Sequence, residues 1–351
     1  WKQAPKWLID PEGPLSLRWS YAPHMIQWLR QFLHSGRPEN LAQIAAGMNE
    51  LNRPNVELYT QHLKDTGHEN LLKESMYVHA FRDAGGADLG KLAWRIRDAY
   101  EVPMERVEGG ALQDIEPEIS SEYKAAILIK DQARAIDPGA IGRVLLDKAR
   151  GMGAHFRNAE VLALRPSETG WTIDTSGGAI CAQILVMATG AWSMRLLEPL
   201  GYKMPLEAER GYHLMFKNPG IAINNSIMDV DGNFVASSMI DGVRCAGTAE
   251  FAGLDTPPNY ARAHVFKKLA KRLFPRLDTS DATPWMGTRP SFPDSLPMIG
   301  EMPDHPGLFA AFGHCHYGLG MAPNTGRIVA RLVAREPSNI DLTPYSVTRF
   351  S

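Results

Sequence analysis

Glycine and proline crowd the end of this chain in a pattern that few folds can use. Gly287-Thr288-Arg289-Pro290-Ser291-Phe292-Pro293-Asp294-Ser295-Leu296-Pro297-Met298-Ile299-Gly300 is followed, after an apolar run from Leu308 to Phe312, by Gly313-His314-Cys315-His316-Tyr317-Gly318-Leu319-Gly320-Met321-Ala322-Pro323-Asn324-Thr325-Gly326. A turn-rich segment offers one arginine. A strand-like run then meets glycines that let the backbone approach a ligand closely and open a helix. This is the build of a cofactor floor. Val186-Met187-Ala188-Thr189-Gly190-Ala191-Trp192-Ser193 repeats the idea, with an apolar strand ending in a glycine turn.

The 351 residues suffice for two intimately packed domains with a sizeable core. A net charge of -2 provides no basic stripe to neutralise phosphates, which argues against nucleic acid as a partner. The three cysteines, Cys181, Cys245 and Cys315, are far apart and odd in number, so they form no disulfide framework; a reducing, cytoplasmic setting is expected. No apolar run approaches the length of a membrane span, so membrane contact is expected to be peripheral at most.

Met25, Trp28, Leu29, Phe32 and Leu33 recur at helical spacing, as do Leu41, Ile44, Ala45, Met48 and Leu51 before Pro54 interrupts. Ser75 to Phe81 and Ala125 to Ile129 read as strands, with a helix from Leu92 to Tyr100 between them. Asp137-Pro138 provides a capping side chain and a proline at the first helical position, and Ile141, Val144, Leu145 and Ala149 form one face up to Gly151 and Gly153. Glu160 to Leu164, Trp171 to Thr175 and Ile184 to Ala188 read as strands, with Gly177-Gly178 as a tight turn between the last two. Pro205 to Gly247 is β-rich, with turn signals at Asp231-Gly232 and Asp241-Gly242. Tyr260 to Leu273 reads as a helix, and a final helix is expected from about Pro323 to Ala334.

The order of these motifs resembles the FAD-dependent D-amino-acid oxidase superfamily. The resemblance rests on Arg-Pro…Asp…Pro-x-Ile-Gly from Arg289 to Gly300, Gly-His…Gly…Ala-Pro…Thr-Gly from Gly313 to Gly326, and the strand ending at Gly190. Trp7-Leu8-Ile9-Asp10-Pro11 with Leu15 to Arg18, Leu112 to Pro117 and Asp137-Pro138 are similar to the bacterial D-amino-acid dehydrogenase branch. The resemblance implies an α/β, two-domain fold: a Rossmann-like FAD-binding domain with an inserted substrate domain on a mixed or antiparallel sheet. The expected division is 1–130 substrate domain, 131–202 FAD domain, 203–286 substrate domain and 287–351 FAD domain. The superfamily's Gly-x-Gly-x-x-Gly, which seats the pyrophosphate on a helix N-terminus, is absent. Gly151-Met152-Gly153-Ala154-His155-Phe156 has two of the glycines but precedes a strand-like run, so it reads as the loop that ends a helix. Because the sequence starts at Trp1, a preceding ~30-residue βαβ unit is expected to hold that fingerprint.

Site roles follow from the same resemblance. Arg289 matches the arginine that takes the substrate carboxylate; a guanidinium holds a carboxylate through two parallel hydrogen bonds and stays charged. The alternative is a structural pairing with an acid such as Asp294. His316 stands where some relatives carry a second arginine and would be a weaker, pH-dependent cation. His314 and His316 share a face if their segment is extended, with Cys315 pointing away; no third ligand is spaced for a metal, and none is expected. Tyr212 and His213, in Arg210-Gly211-Tyr212-His213, point to opposite faces of a strand, and either can line a substrate cavity. Phe234 matches an active-site aromatic or is plain core. For FAD, Val161 matches a position contacting adenine, Ala188, Gly190 and Trp192 follow the dinucleotide strand, and Gly313, His314, Gly318, Leu319, Gly320 and Met321 are expected beside the isoalloxazine.

The function this implies is oxidation of a small amino acid, either a D-amino acid or a cyclic or N-substituted one, by hydride transfer from Cα to flavin N5, giving an imino acid. The electron acceptor is a quinone or O2. A sarcosine- or glycine-type oxidase using O2 is the neighbouring alternative, and a flavin-free binding or assembly subunit is the alternative from another class.

Overall fold

The computed structural model describes residues 4–10 and 12–350, so Trp1 and Pro11 lie outside the described residues. The chain divides into two compact units. The first comprises the chain up to Trp19 with Leu63–Val144 and Arg210–Gly287; the second comprises Ser20–His62, Leu145–Glu209 and the chain from Thr288 onward. Both mix helices with sheet, as the sequence predicts.

Among the described residues, a ten-stranded sheet forms the frame of the first unit. Its order is Leu15–Leu17, Ala249–Phe251, Glu207–Phe216, Gly242–Ala246, Phe234–Met239, Ser226–Asp229, Leu72–Phe81, Ala125–Ala135 and Met104–Glu108, with Ala282–Ser291 also pairing with Glu207–Phe216. Most neighbours whose register is defined are antiparallel; Leu15–Leu17 runs parallel to Ala249–Phe251, and Ser226–Asp229 parallel to Leu72–Phe81. Both Asp-Gly signals mark hairpins. At the second, Gly242 has φ +134 and a Cβ there would meet Phe216 O at 2.0 Å, so only glycine fits. Helix Ala261–Leu273 buries Ala263, Phe266, Ala270 and Leu273 in a core with Tyr212, Leu214, Phe216 and Phe234. Each such phenylalanine contributes about 1.5–3 kcal/mol relative to exposure.

In the second unit, Leu308–Phe312 lies between Met298–Glu301, antiparallel, and Leu185–Met187, parallel. Val161–Ser167, Gly170–Thr175 and Ile180–Ala182 form a separate antiparallel meander. The Gly177-Gly178 turn, with φ +99 at Gly178, therefore joins Gly170–Thr175 to Ile180–Ala182 and not to the following strand. The expected pairing is wrong because one apolar run from Ile180 to Ala188 serves two sheets, divided at Gln183-Ile184. Helix Pro138–Gly151 starts as anticipated, with Asp137 Oδ1 accepting from the Ala140 N–H at 2.9 Å. It closes through Gly153, at φ +97, whose N–H donates to Arg150 O. The two glycines there end a helix.

The final helix spans Gly318–Val333 and begins five residues before the expected start, with Pro323 inside it. A helical proline cannot donate to the carbonyl four residues back, here that of Leu319. The Tyr59 hydroxyl donates to that oxygen at 2.7 Å, which satisfies the acceptor that the proline leaves without a donor. No helix among the described residues is long and apolar enough to cross a membrane.

Candidate functional site

A buried carboxylate organises the arginine and histidine singled out above. Glu209, on strand Glu207–Phe216, leaves 7% of its side chain exposed. Arg289 Nη1 donates to its Oε1 at 2.7 Å, and Ser291 Oγ donates to its Oε2 at 2.9 Å. Arg289 and Ser291 both lie on strand Ala282–Ser291, where alternation turns them the same way. His316 Nε2 completes the set, 2.9 Å from Oε1 and 3.0 Å from Oε2. Burial works to raise the carboxyl pKa, but the His316 hydrogen bond and charge, the Arg289 charge and the Ser291 hydroxyl outweigh it and hold Glu209 down to about 2. Glu209 is thus an anion at any physiological pH, and the side chains around it remain partly open, Arg289 by 24% and His316 by 49%.

The segment carrying His316 is not extended. Cys315 has φ +53, so His314 and His316 part company. His314 Nε2 lies 2.9 Å from Thr325 Oγ1 in the final helix, and burial lowers its pKa to about 4, leaving a neutral strut. Cys315 Sγ donates to Ser291 Oγ at 3.1 Å. Burial first, and then the Glu209 charge, push its thiol up to about 11, too high for a nucleophile or a thiolate. Donor atoms of Glu209, Cys315 and His316 lie within 4.8 Å of one another, so a third group does come near the histidine, contrary to the spacing argument. The Arg289 guanidinium already supplies the positive charge there, and no metal ligand is assigned. Arg289 thus does pair with an acid, Glu209, whereas the Asp294 carboxylate takes Arg349 Nε at 2.7 Å.

The other candidates belong to the first unit. Tyr212 is 1% exposed; its hydroxyl donates to Glu250 Oε2 at 2.6 Å and accepts from the Asn259 N–H at 2.9 Å. Burial, then Glu250, raise its pKa to about 12. Phe234 is 0% exposed and packs against Phe266. Both side chains are spent on the core. His213, on the opposite face of the strand from Tyr212, is half-buried and stacks on Trp285 at 4.9 Å. Burial, then Arg244, press its pKa to about 4, so it is a neutral imidazole.

The positions expected to hold FAD all belong to the second unit. Leu185–Met187 and Leu308–Phe312 are parallel, so Ala188, Gly190 and Trp192 leave the sheet at the same end as Gly313 and His314. Ligands of α/β sheets sit beyond that carboxyl end. Gly190 and Gly313 turn the chain with φ +57 and +88, and a Cβ on Gly313 would lie 2.2 Å from the Phe292 ring. Gly318, Leu319 and Gly320 form the first turn of the final helix, which has no side-chain cap at Tyr317. Their N–H groups have no partner within the helix and present its positive end. This glycine-lined, uncapped turn fits the electron-rich edge of a flavin. Met321 differs from expectation: its side chain is buried with Leu51, Leu296 and Ile328, and its N–H donates to Tyr317 O. Val161 opens the meander, half-buried and paired with Thr175.

Glu209 and Ser291 escaped the sequence reading. The available signal was an acid placed directly before Arg210-Gly211-Tyr212-His213 in a strand otherwise patterned for burial.

The family described as FAD dependent oxidoreductase matches residues 19–332. A D-amino-acid oxidase of Bradyrhizobium diazoefficiens is 35% identical over 356 residues, covering 100% of this chain and 84% of that protein. A D-amino acid dehydrogenase of Paramagnetospirillum magneticum is 30% identical over 360 residues, covering 99% and 84%. The crystal structure of glycine oxidase from Geobacillus kaustophilus superposes with a TM-score of 0.74 over 90% of this chain and 84% of that one, at 24% identity.

Proposed function

Because the chain belongs to the FAD dependent oxidoreductases, we propose that it oxidises a small amino acid, either a D-amino acid or a cyclic or N-substituted one, at its Cα–N bond. The observation that carries this reading is the cationic rim over Glu209: a partly open arginine whose inner edge is fixed by a buried acid. FAD, when bound, supplies the two-electron acceptor for the substrate Cα–H bond. The chain supplies binding and orientation. Arg289 bonds Glu209 through Nη1, which orients the guanidinium in advance as the cation for the substrate carboxylate. Loss of two electrons and two protons from the amine gives an imine, which water hydrolyses to the keto acid. The names of two relatives, a D-amino-acid oxidase and a D-amino acid dehydrogenase, support this substrate class. Electrons then pass to a quinone or to O2, with any membrane contact peripheral.

Anaerobic mixing of the flavin-loaded protein with a panel of D-amino acids, glycine, sarcosine and both prolines tests the reading. At least one should bleach the flavin absorbance, and a panel that leaves the spectrum intact refutes it. Hydrogen peroxide formation, set against reduction of a quinone-like dye, then separates the glycine- or sarcosine-type oxidase from the dehydrogenase.

A further inference from the structure

The two oxygens of Glu209 both face His316 Nε2, at 2.9 and 3.0 Å. A carboxylate only accepts, so the bonded nitrogen must carry the proton. In the neutral ring this fixes the tautomer and leaves Nδ1 with a bare lone pair, since the partner of one ring nitrogen decides the state of the other. Nδ1 has no hydrogen-bond partner among the described residues, and the side chain is 49% exposed. A bare nitrogen is a poor partner for a carboxylate and a good one for an ammonium. An amino acid reaches the site as a zwitterion, whose ammonium has no lone pair to drive expulsion of the Cα–H electron pair.

We propose that His316 is a catalytic base that takes a proton from the substrate ammonium through Nδ1, held in the required tautomer by Glu209. The reading rests on the amino-acid oxidation proposed above. One ammonium N–H bond breaks, its electron pair stays on nitrogen and the proton moves to Nδ1. The nitrogen lone pair then forms the C=N bond as the Cα–H electron pair departs to the enzyme's FAD. The proton leaves His316 for solvent. The charged and titratable groups that face the imidazole are Glu209, which stabilises the protonated ring as it forms, Arg289, which opposes it and carries the substrate carboxylate, and the Cys315 thiol, which stays protonated. The geometry thus separates the two ends of the substrate: arginine for the carboxylate, histidine for the amine. The sequence-based expectation gave both cations to the carboxylate.

The test uses the flavin-loaded enzyme, the amino acid that bleaches it fastest, and propionate as a carboxylate without an amine. Because His316 is half-exposed, His316→Gln should fold and retain flavin. Flavin reduction at neutral pH should slow by about 10²- to 10⁴-fold, the usual range for loss of a general base. Raising the pH through the substrate's own amine titration should restore the rate, because free amine then arrives already deprotonated. The propionate Kd, read by calorimetry, should change by less than about threefold, since the base does not touch the carboxylate. A tenfold weaker propionate Kd without alkaline rescue would overturn the proposal and return His316 to the carboxylate. An unchanged reduction rate at neutral pH would overturn it as well. Failure of the wild-type enzyme to be bleached by any amino acid would instead remove the substrate class on which it rests.

Discussion

Replacing Arg289 by methionine removes the guanidinium while keeping an unbranched apolar stem, and its consequences can be sized from the contacts. Glu209 loses the donor at 2.7 Å but keeps His316 and Ser291. The folded state therefore loses about 1.5–3 kcal/mol, the worth of one hydrogen bond to a charged group, and less than the full cost of stripping a buried ion. A substrate carboxylate loses its only proposed cation. Truncating one side of a buried charge pair costs about 2–5 kcal/mol. At 1.4 kcal/mol per decade this is roughly 30- to 4000-fold in affinity. Arg289→Lys should fall between the parent and Arg289→Met, because it keeps the charge and loses the planar fork. The assay is the Kd for propionate together with single-turnover flavin reduction, on variants matched for flavin content and circular dichroism. If Arg289→Met keeps kcat/KM within about threefold of the parent, a change worth under 1 kcal/mol, the arginine is structural and the carboxylate is held elsewhere.

The acid limb of stability should report Glu209. Its folded pKa is lowered from 4.5 to about 2, so its contribution is complete above 4.5 and drains away as pH falls toward 2. Linkage puts that contribution at about 3 kcal/mol, and Glu209→Gln should lower the melting temperature at neutral pH while flattening its fall below pH 4.5. An acid limb as steep as the parent's refutes the assignment. Tyr59→Phe leaves Leu319 O without the donor that Pro323 cannot supply, at a cost of about 1 kcal/mol; a variant that melts with the parent shows that water serves equally well. Gly313→Ala forces a methyl onto Phe292 in a left-handed conformation and should cost about 2–4 kcal/mol while lowering bound flavin. Full flavin content at unchanged stability would show that the turn relaxes freely.

What could be read from the sequence was local. The strand Leu308–Phe312, the helix from Pro138 with its Asp137 cap and the Asp231-Gly232 turn all announce themselves within a few residues. Arg289 and His316 stood out because turn and glycine chemistry framed them. Glu209 did not, since it lies 107 positions from His316 and acquires its meaning only from a pairing that no local pattern encodes. Pro323 misled for the opposite reason. Its local rule is sound, but a tyrosine 260 positions away from Leu319 in sequence overrides it. The Gly177-Gly178 turn was recognised and its partner strand was not, because an apolar run does not reveal where one sheet hands over to another.

The separation between Glu209 and His316 also bears on how the molecule is made. Glu209 leaves the ribosome 107 residues before His316, and Arg289 and Ser291 also follow it. At about 5–20 residues per second this is an interval of roughly 5–20 s. Until Arg289 emerges, 80 residues after Glu209, burying the carboxylate would mean dehydrating an ion with no cation beside it, a cost of several kcal/mol. The start of strand Glu207–Phe216 must therefore stay wet while the nascent chain waits. The acid delays closure of its own surroundings until the arginine, serine and histidine that partner it have been translated.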